Sequence, residues 1–164
     1  VSEALKGFTR ERFLRNLTAT HPFFSGLTRE ERHSVMECFR VVTFRAGQEL
    51  ICEGQLGPGL FLLLGGSASV SKVSGGERIH LATLRGADVC GEMSLVGDQL
   101  TQAWVTADED LEALFLARED FKAVVREHPE LMKYLASLTD ERLRQNRAIM
   151  NARGLLDDDE HVMI

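Results

Sequence analysis

Residues 60–66 read Leu-Phe-Leu-Leu-Leu-Gly-Gly and residues 90–95 read Cys-Gly-Glu-Met-Ser-Leu. The first segment is a short apolar run stopped by paired glycines, the length and punctuation of a strand entering a turn. The second places a glycine and then a carboxylate between β-favouring runs. Outward from these segments the same texture repeats: Val-Val-Thr-Phe from 41, Glu-Leu-Ile-Cys from 49, Ser-Ala-Ser-Val-Ser-Lys-Val from 67, Arg-Ile-His-Leu-Ala-Thr-Leu from 78, Ala-Trp-Val-Thr-Ala from 103 and Leu-Glu-Ala-Leu-Phe-Leu from 111. Glycines at 47, 54, 57, 59, 65, 66, 75, 76 and 86 separate the runs, where turns need unusual backbone angles. About eight strands joined by close turns predict a compact antiparallel roll, and a parallel α/β sheet is excluded because no crossover helices intervene.

The flanks read as helix. Leu5, Phe8, Phe13, Leu14 and Leu17 lie among charges at helical spacing over residues 3–20. His-Pro-Phe-Phe-Ser-Gly at 21–26 breaks that pattern, and Thr28 with Glu31 forms a capping-box start for a helix through about Cys38. After Leu116, Phe121, Val124 and Val125 mark one helix, His128-Pro129 a break, and Leu131, Leu135, Leu138 and Leu143 the stripe of a longer helix to about 150. The expected fold is therefore mainly β with flanking helices: an eight-stranded antiparallel, jelly-roll-like β-roll with N-terminal helices and two C-terminal helices. Residues 1–22 are expected to be an amphipathic helix or linker, 23–150 the domain, and 151–164 an acidic tail.

Composition narrows the function. The 164 residues carry a formal charge of −6, which argues against nonspecific nucleic-acid binding, and DNA binding by this chain is not expected. No apolar run approaches the ~18 residues of a membrane span, so the expectation is a cytoplasmic protein without a membrane partner. Cys38, Cys52 and Cys90 form no CxxC pair and are read as reduced thiols, with Cys90 a buried structural residue. His21, His33, His80, His128 and His161 show no short metal-ligand spacing and are read as turn or surface residues; no metal is expected. Neither GxxxxGK[ST] nor GxSxG occurs, and Asp108 with Asp110 falls between strands, so no enzyme is expected.

Gly47, Glu53-Gly54, Leu-Phe-Leu-Leu-Leu-Gly-Gly at 60–66, Cys-Gly-Glu-Met-Ser-Leu at 90–95 and Ala-Trp-Val at 103, taken in that order, resemble the cyclic-nucleotide-binding domain family over residues 23–150. The resemblance implies a regulatory module whose ligand is cAMP or cGMP. It implies that Gly91 and Glu92 open a short helix whose backbone N–H groups face the cyclic phosphate, that Glu92 accepts from the ribose 2′-hydroxyl, and that Met93 and Ser94 line the turn. Ten residues after Gly91 the family usually has Pro-Arg, whereas this chain reads Leu100-Thr101-Gln102, with Thr101 and Gln102 taking the place of the phosphate-binding pair. A lost charge-assisted hydrogen bond is worth about 1.5–3 kcal/mol, or one to two decades of affinity. Trp104 replaces a small residue and would partly fill the pocket, and Ala87 stands where the family commonly has glycine. Arg78, Arg85 and Lys72 are neighbouring cations that read as exposed strand charges.

Two functions follow. One is an interaction module, degenerate for cAMP and cGMP, acting on a protein partner, an effector domain or a second copy through the C-terminal helix. The other is a sensor of a cyclic nucleotide or another small ligand that moves the same helix on binding.

Overall fold

The computed structural model describes residues 12, 14–17 and 19–154. Eight strands are present: β1 (Arg40–Phe44), β2 (Glu49–Ile51), β3 (Gly59–Gly65), β4 (Ala68–Ser74), β5 (Glu77–Leu84), β6 (Val89–Cys90), β7 (Trp104–Ala107) and β8 (Leu111–Ala117). The helices are α1 (Arg29–Glu37), the single turn α2 (Glu92–Val96), α3 (Arg118–Glu127) and α4 (Glu130–Ala152), with a 3₁₀ turn at Pro22–Phe24. One sheet has the order β1-β8-β3-β6 and the other β2-β7-β4-β5, and every pairing is antiparallel. This is the expected roll.

The apolar run of β3 is continuous because both of its faces are buried. Leu60 and Leu62 point outward into a cluster with Phe23, Phe24, Leu27, Leu114, Leu116, Phe121, Leu131 and Leu135. Phe61 and Leu63 point into the roll against Leu50, Ile51, Val105, Leu111 and Phe115. With a side-chain period of two, a strand between two apolar layers cannot alternate with polar residues. Each fully buried leucine contributes on the order of 2 kcal/mol of transfer free energy, so β3 ties the helical layer to the roll.

The helices follow their local signals. Thr28 Oγ1 accepts from the Glu31 backbone N–H at 3.2 Å, and a Glu31 carboxylate oxygen accepts from the Thr28 N–H at 2.9 Å, completing the capping box. Leu14 and Leu17 pack onto the outer cluster, whereas Leu5, Phe8 and Phe13 lie outside the described residues, as do positions 155–164 of the expected acidic tail. The long helix α4 carries its Leu131 and Leu135 stripe into the outer cluster, then continues to a third cluster in which Met150 and Ile149 meet Ile79 and Leu81 of β5. It thereby spans from the helical layer to the far hairpin of the roll. Among the described residues no helix is long and apolar enough to cross a membrane.

Two details bear on the sequence reading. His21 is buried: Nδ1 accepts from the Phe23 N–H at 3.1 Å and Nε2 lies 2.8 Å from the Ala87 carbonyl, which places the proton on Nε2. Ala87 itself adopts φ +73°, the left-handed region that glycine occupies without strain.

Candidate functional site

Strand β6 ends at Cys90 and the chain turns at Gly91, φ +91°, before entering α2. A Cβ at Gly91 would sit 2.3 Å from the Gly59 carbonyl oxygen, so only glycine allows this turn to pack against β3. The turn delivers Glu92 and Ser94 inward, where they are 1% and 4% exposed, while Met93 is half-buried. Ser94 Oγ donates to the Gly91 carbonyl at 3.4 Å. A carboxylate this deep requires a partner. Glu92 has one in Arg142 of α4, whose guanidinium donates to Oε1.

Glu92 and Arg142 face a cavity of about 240 Å³ between the roll and α4. Ile51, Val70, Leu84 and Val105 form an apolar wall; Asp88, Gln99, Thr101, Gln102, Gln145 and Asn146 add polar groups, and Met93, Ser94 and Gly91 also line it. All six residues expected from the motif, Gly91, Glu92, Met93, Ser94, Thr101 and Gln102, therefore meet at one cavity.

Thr101 fastens the neighbouring loop. Its Oγ1 donates to the Cys52 carbonyl at 2.5 Å and accepts from the Gln55 N–H at 3.0 Å, while its backbone N–H donates to the Gln55 carbonyl at 2.8 Å and its carbonyl accepts from the Gly54 N–H at 2.7 Å. Gln102 Nε2 donates to Gln99 Oε1 at 3.4 Å. The nearby cations lie outside the lining. Lys72 Nζ donates to the Gln102 carbonyl at 3.3 Å and pairs with Glu53 at 3.6 Å. Arg78 stacks over Trp104 at 4.9 Å and lies 3.9 Å from Glu49, and Arg85 is exposed. Arg118 pairs with Asp98 at 2.6 Å. None of these four lines the cavity.

Trp104 does not fill the cavity. Ala103 and Val105 line it, and strand alternation sends Trp104 to the opposite face, beneath Arg78. Its indole Nε1 is buried without a hydrogen-bond partner. Leu100 stands at the mouth, 56% exposed, and leaves the cavity open. Cys90 lines the cavity and is buried, and burial followed by the nearby Glu92 carboxylate pushes its thiol well up, which disfavours the reactive thiolate. His128 sits in the break between α3 and α4, where folding places its Nδ1 3.2 Å from Glu31 and 3.8 Å from Glu130, a three-residue group with metal-ligand chemistry that sequence spacing could not show.

The sequence pattern of the cyclic nucleotide-binding domain matches residues 41–128. This chain belongs to the cyclic nucleotide-binding domain family. It is 34% identical over 125 residues to the cyclic AMP receptor protein of Thermus thermophilus, covering 76% of this chain and 58% of that protein. The crystal structure of the Thermus thermophilus catabolite activator protein superposes with a TM-score of 0.70 at 32% identity, covering 81% of this chain and 63% of that one. The regulatory subunit of a cAMP-independent protein kinase A from Trypanosoma brucei superposes with a TM-score of 0.67 at 25% identity, covering 78% and 47%. The chain thus spans little more than half the length of the first relative. By name these relatives are a receptor protein, an activator protein and a regulatory subunit.

In this cyclic nucleotide-binding domain, the sequence reading missed the cavity residues that α4 supplies, Arg142, Gln145 and Asn146. A signal was present: along one face of α4, leucines at 131, 135 and 138 give way to polar residues at 142, 145 and 146 and then to Ile149 and Met150. An apolar stripe interrupted for one turn at unbroken helical spacing marks a helix that crosses a polar cavity.

Proposed function

We propose that this domain is a non-enzymatic ligand sensor that takes a small molecule in the cavity and reports it through α4. One observation carries the reading: buried Glu92 is held directly by Arg142 of the long helix in the lining of an open cavity. A ligand hydroxyl that donates to Glu92 shares with Arg142 a carboxylate that has lone pairs left beside that ion pair. Binding therefore changes the free energy holding α4 to the roll, and a ligand shifts a conformational equilibrium only through such a difference. The unit doing this work is residues 23–150, with flanking segments that connect it to a protein partner or effector domain in the cytoplasm. Gly91, Glu92, Met93 and Ser94 are the ligand-facing turn, and Thr101 and Gln102 its neighbours at the phosphate end.

A second reading, an interaction module that has lost cAMP and cGMP binding, is favoured by the commitment of Thr101 to the Cys52–Gln55 loop and by a family member described as cAMP-independent. Calorimetric titration of the domain with cAMP, cGMP and guanosine separates the two. The sensor reading expects binding by at least one of them, weakened at least tenfold in Glu92→Ala. Absence of heat and of any melting-temperature shift for all three would favour the interaction module.

A further inference from the structure

The cavity has a charge inventory that selects among ligands. Its ionisable lining residues are Asp88, Glu92, Cys90 and Arg142. Cys90 is held neutral by burial. Asp88 accepts from the Arg85 backbone N–H at 2.8 Å, and its bond to a neutral donor leaves its charge uncompensated. Arg142 is already engaged with Glu92. The lining therefore carries two carboxylates against one guanidinium; of the surrounding cations, Lys72 bonds the Gln102 carbonyl and pairs with Glu53, Arg78 lies beside Glu49 and Arg118 pairs with Asp98 through Nη2, and none of the three lines the cavity. An anion entering this space loses its hydration without meeting a lining cation that is free of a carboxylate, and the carboxylates nearby add repulsion. A neutral ligand avoids both costs.

The same lining suits hydroxyls and a flat ring. Glu92 is an acceptor-only group with lone pairs to spare beside its bond to Arg142. Ile51, Val70, Leu84 and Val105 offer apolar surface for a ring, and Gln99 and Asn146 provide amides that both donate and accept.

We infer that the cavity takes an uncharged nucleoside in preference to a cyclic nucleotide. This deepens the sensor reading and rests on it. Discrimination lies at Thr101 and Gln102: neither brings charge, and Thr101 spends its hydroxyl on backbone groups of the loop. Supplying a guanidinium there reverses the preference.

The test is calorimetry of the domain against guanosine, adenosine, cGMP and cAMP, with Thr101→Arg and Gln102→Arg beside the unsubstituted protein. Gln102→Arg leaves the Thr101 bonds in place, so the comparison survives if Thr101→Arg loosens the loop. The expected result is a nucleoside binding at least tenfold more tightly than its own cyclic phosphate, and a gain of about tenfold to a hundredfold for the cyclic phosphate in at least one folded arginine variant. Cyclic nucleotide binding as tight as or tighter than nucleoside binding in the unsubstituted domain would overturn this inference and leave the sensor reading standing. Failure of both classes to bind the folded domain would overturn both. Nucleoside preference with no gain for the cyclic phosphate in either folded arginine variant would overturn the assignment of selectivity to Thr101 and Gln102.

Discussion

The two ends of the cavity are held in place by different chemistry. At one end, Gly91–Leu95 keeps the glycine turn, the buried carboxylate and the tight approach to β3. At the other, Thr101 of Leu100–Gln102 spends its hydroxyl on backbone groups of the Cys52–Gln55 loop. The first end is constrained by packing, since a Cβ at Gly91 has nowhere to go. The second is constrained by polar bonds to backbone, which a hydroxyl satisfies without any charge. A glycine turn fixed by packing against β3 thus says little about ligand charge.

The contrast can be broken by substitution. Gly91→Ala is expected to have the largest effect, a loss of about 2–4 kcal/mol from the clash with Gly59 combined with the positive φ, read as a lower urea midpoint; a loss below about 0.5 kcal/mol would show that the turn relaxes freely. Thr101→Val removes a hydroxyl that serves the Cys52 carbonyl and the Gln55 N–H, and should cost about 1–2 kcal/mol. An unchanged midpoint would mean that water replaces the hydroxyl and that Thr101 is free for a ligand.

Smaller effects sharpen the comparison by testing regions outside it. Ala87→Gly relieves a left-handed alanine at φ +73° and, after the added freedom of the unfolded chain, should stabilise by about 0.5 kcal/mol; clear destabilisation would show that the methyl packs usefully against the outer cluster. Glu31, far from the ligand-facing turn, has its carboxyl held below the ordinary 4.5 by hydrogen bonds from the Thr28 backbone and side chain. A depressed folded-state pKa stabilises above the unfolded value and loses that contribution as pH falls through the folded one. Below pH 4.5 the parent should therefore lose stability more steeply than Glu31→Gln, measured by urea midpoints across the acid range.

The strands and the motif were legible because both are local signals: an apolar run closed by glycines, and a Gly-Glu step within six residues. The continuous run of β3 even announced its burial on two faces. The ion partner of Glu92 was not legible, because Arg142 lies 50 residues away and meets it only when α4 folds back over the roll. Trp104 was misplaced for a different reason: its size suggested a plug, but its parity in β7 assigns it to the face away from the cavity, and parity decides orientation where size does not. His21 and His128 were likewise invisible as partners, since the Ala87 carbonyl and Glu31 approach them from distant parts of the chain.

The coupling between cavity and helix is tested most directly by amide hydrogen exchange across α4, with and without saturating guanosine, in the parent and in Arg142→Ala. The account predicts that ligand alters protection of residues 142–150 in the parent and that Arg142→Ala shows altered protection there before any ligand is added. Saturating ligand that leaves exchange in α4 unchanged, in a domain shown by calorimetry to be occupied, would contradict it.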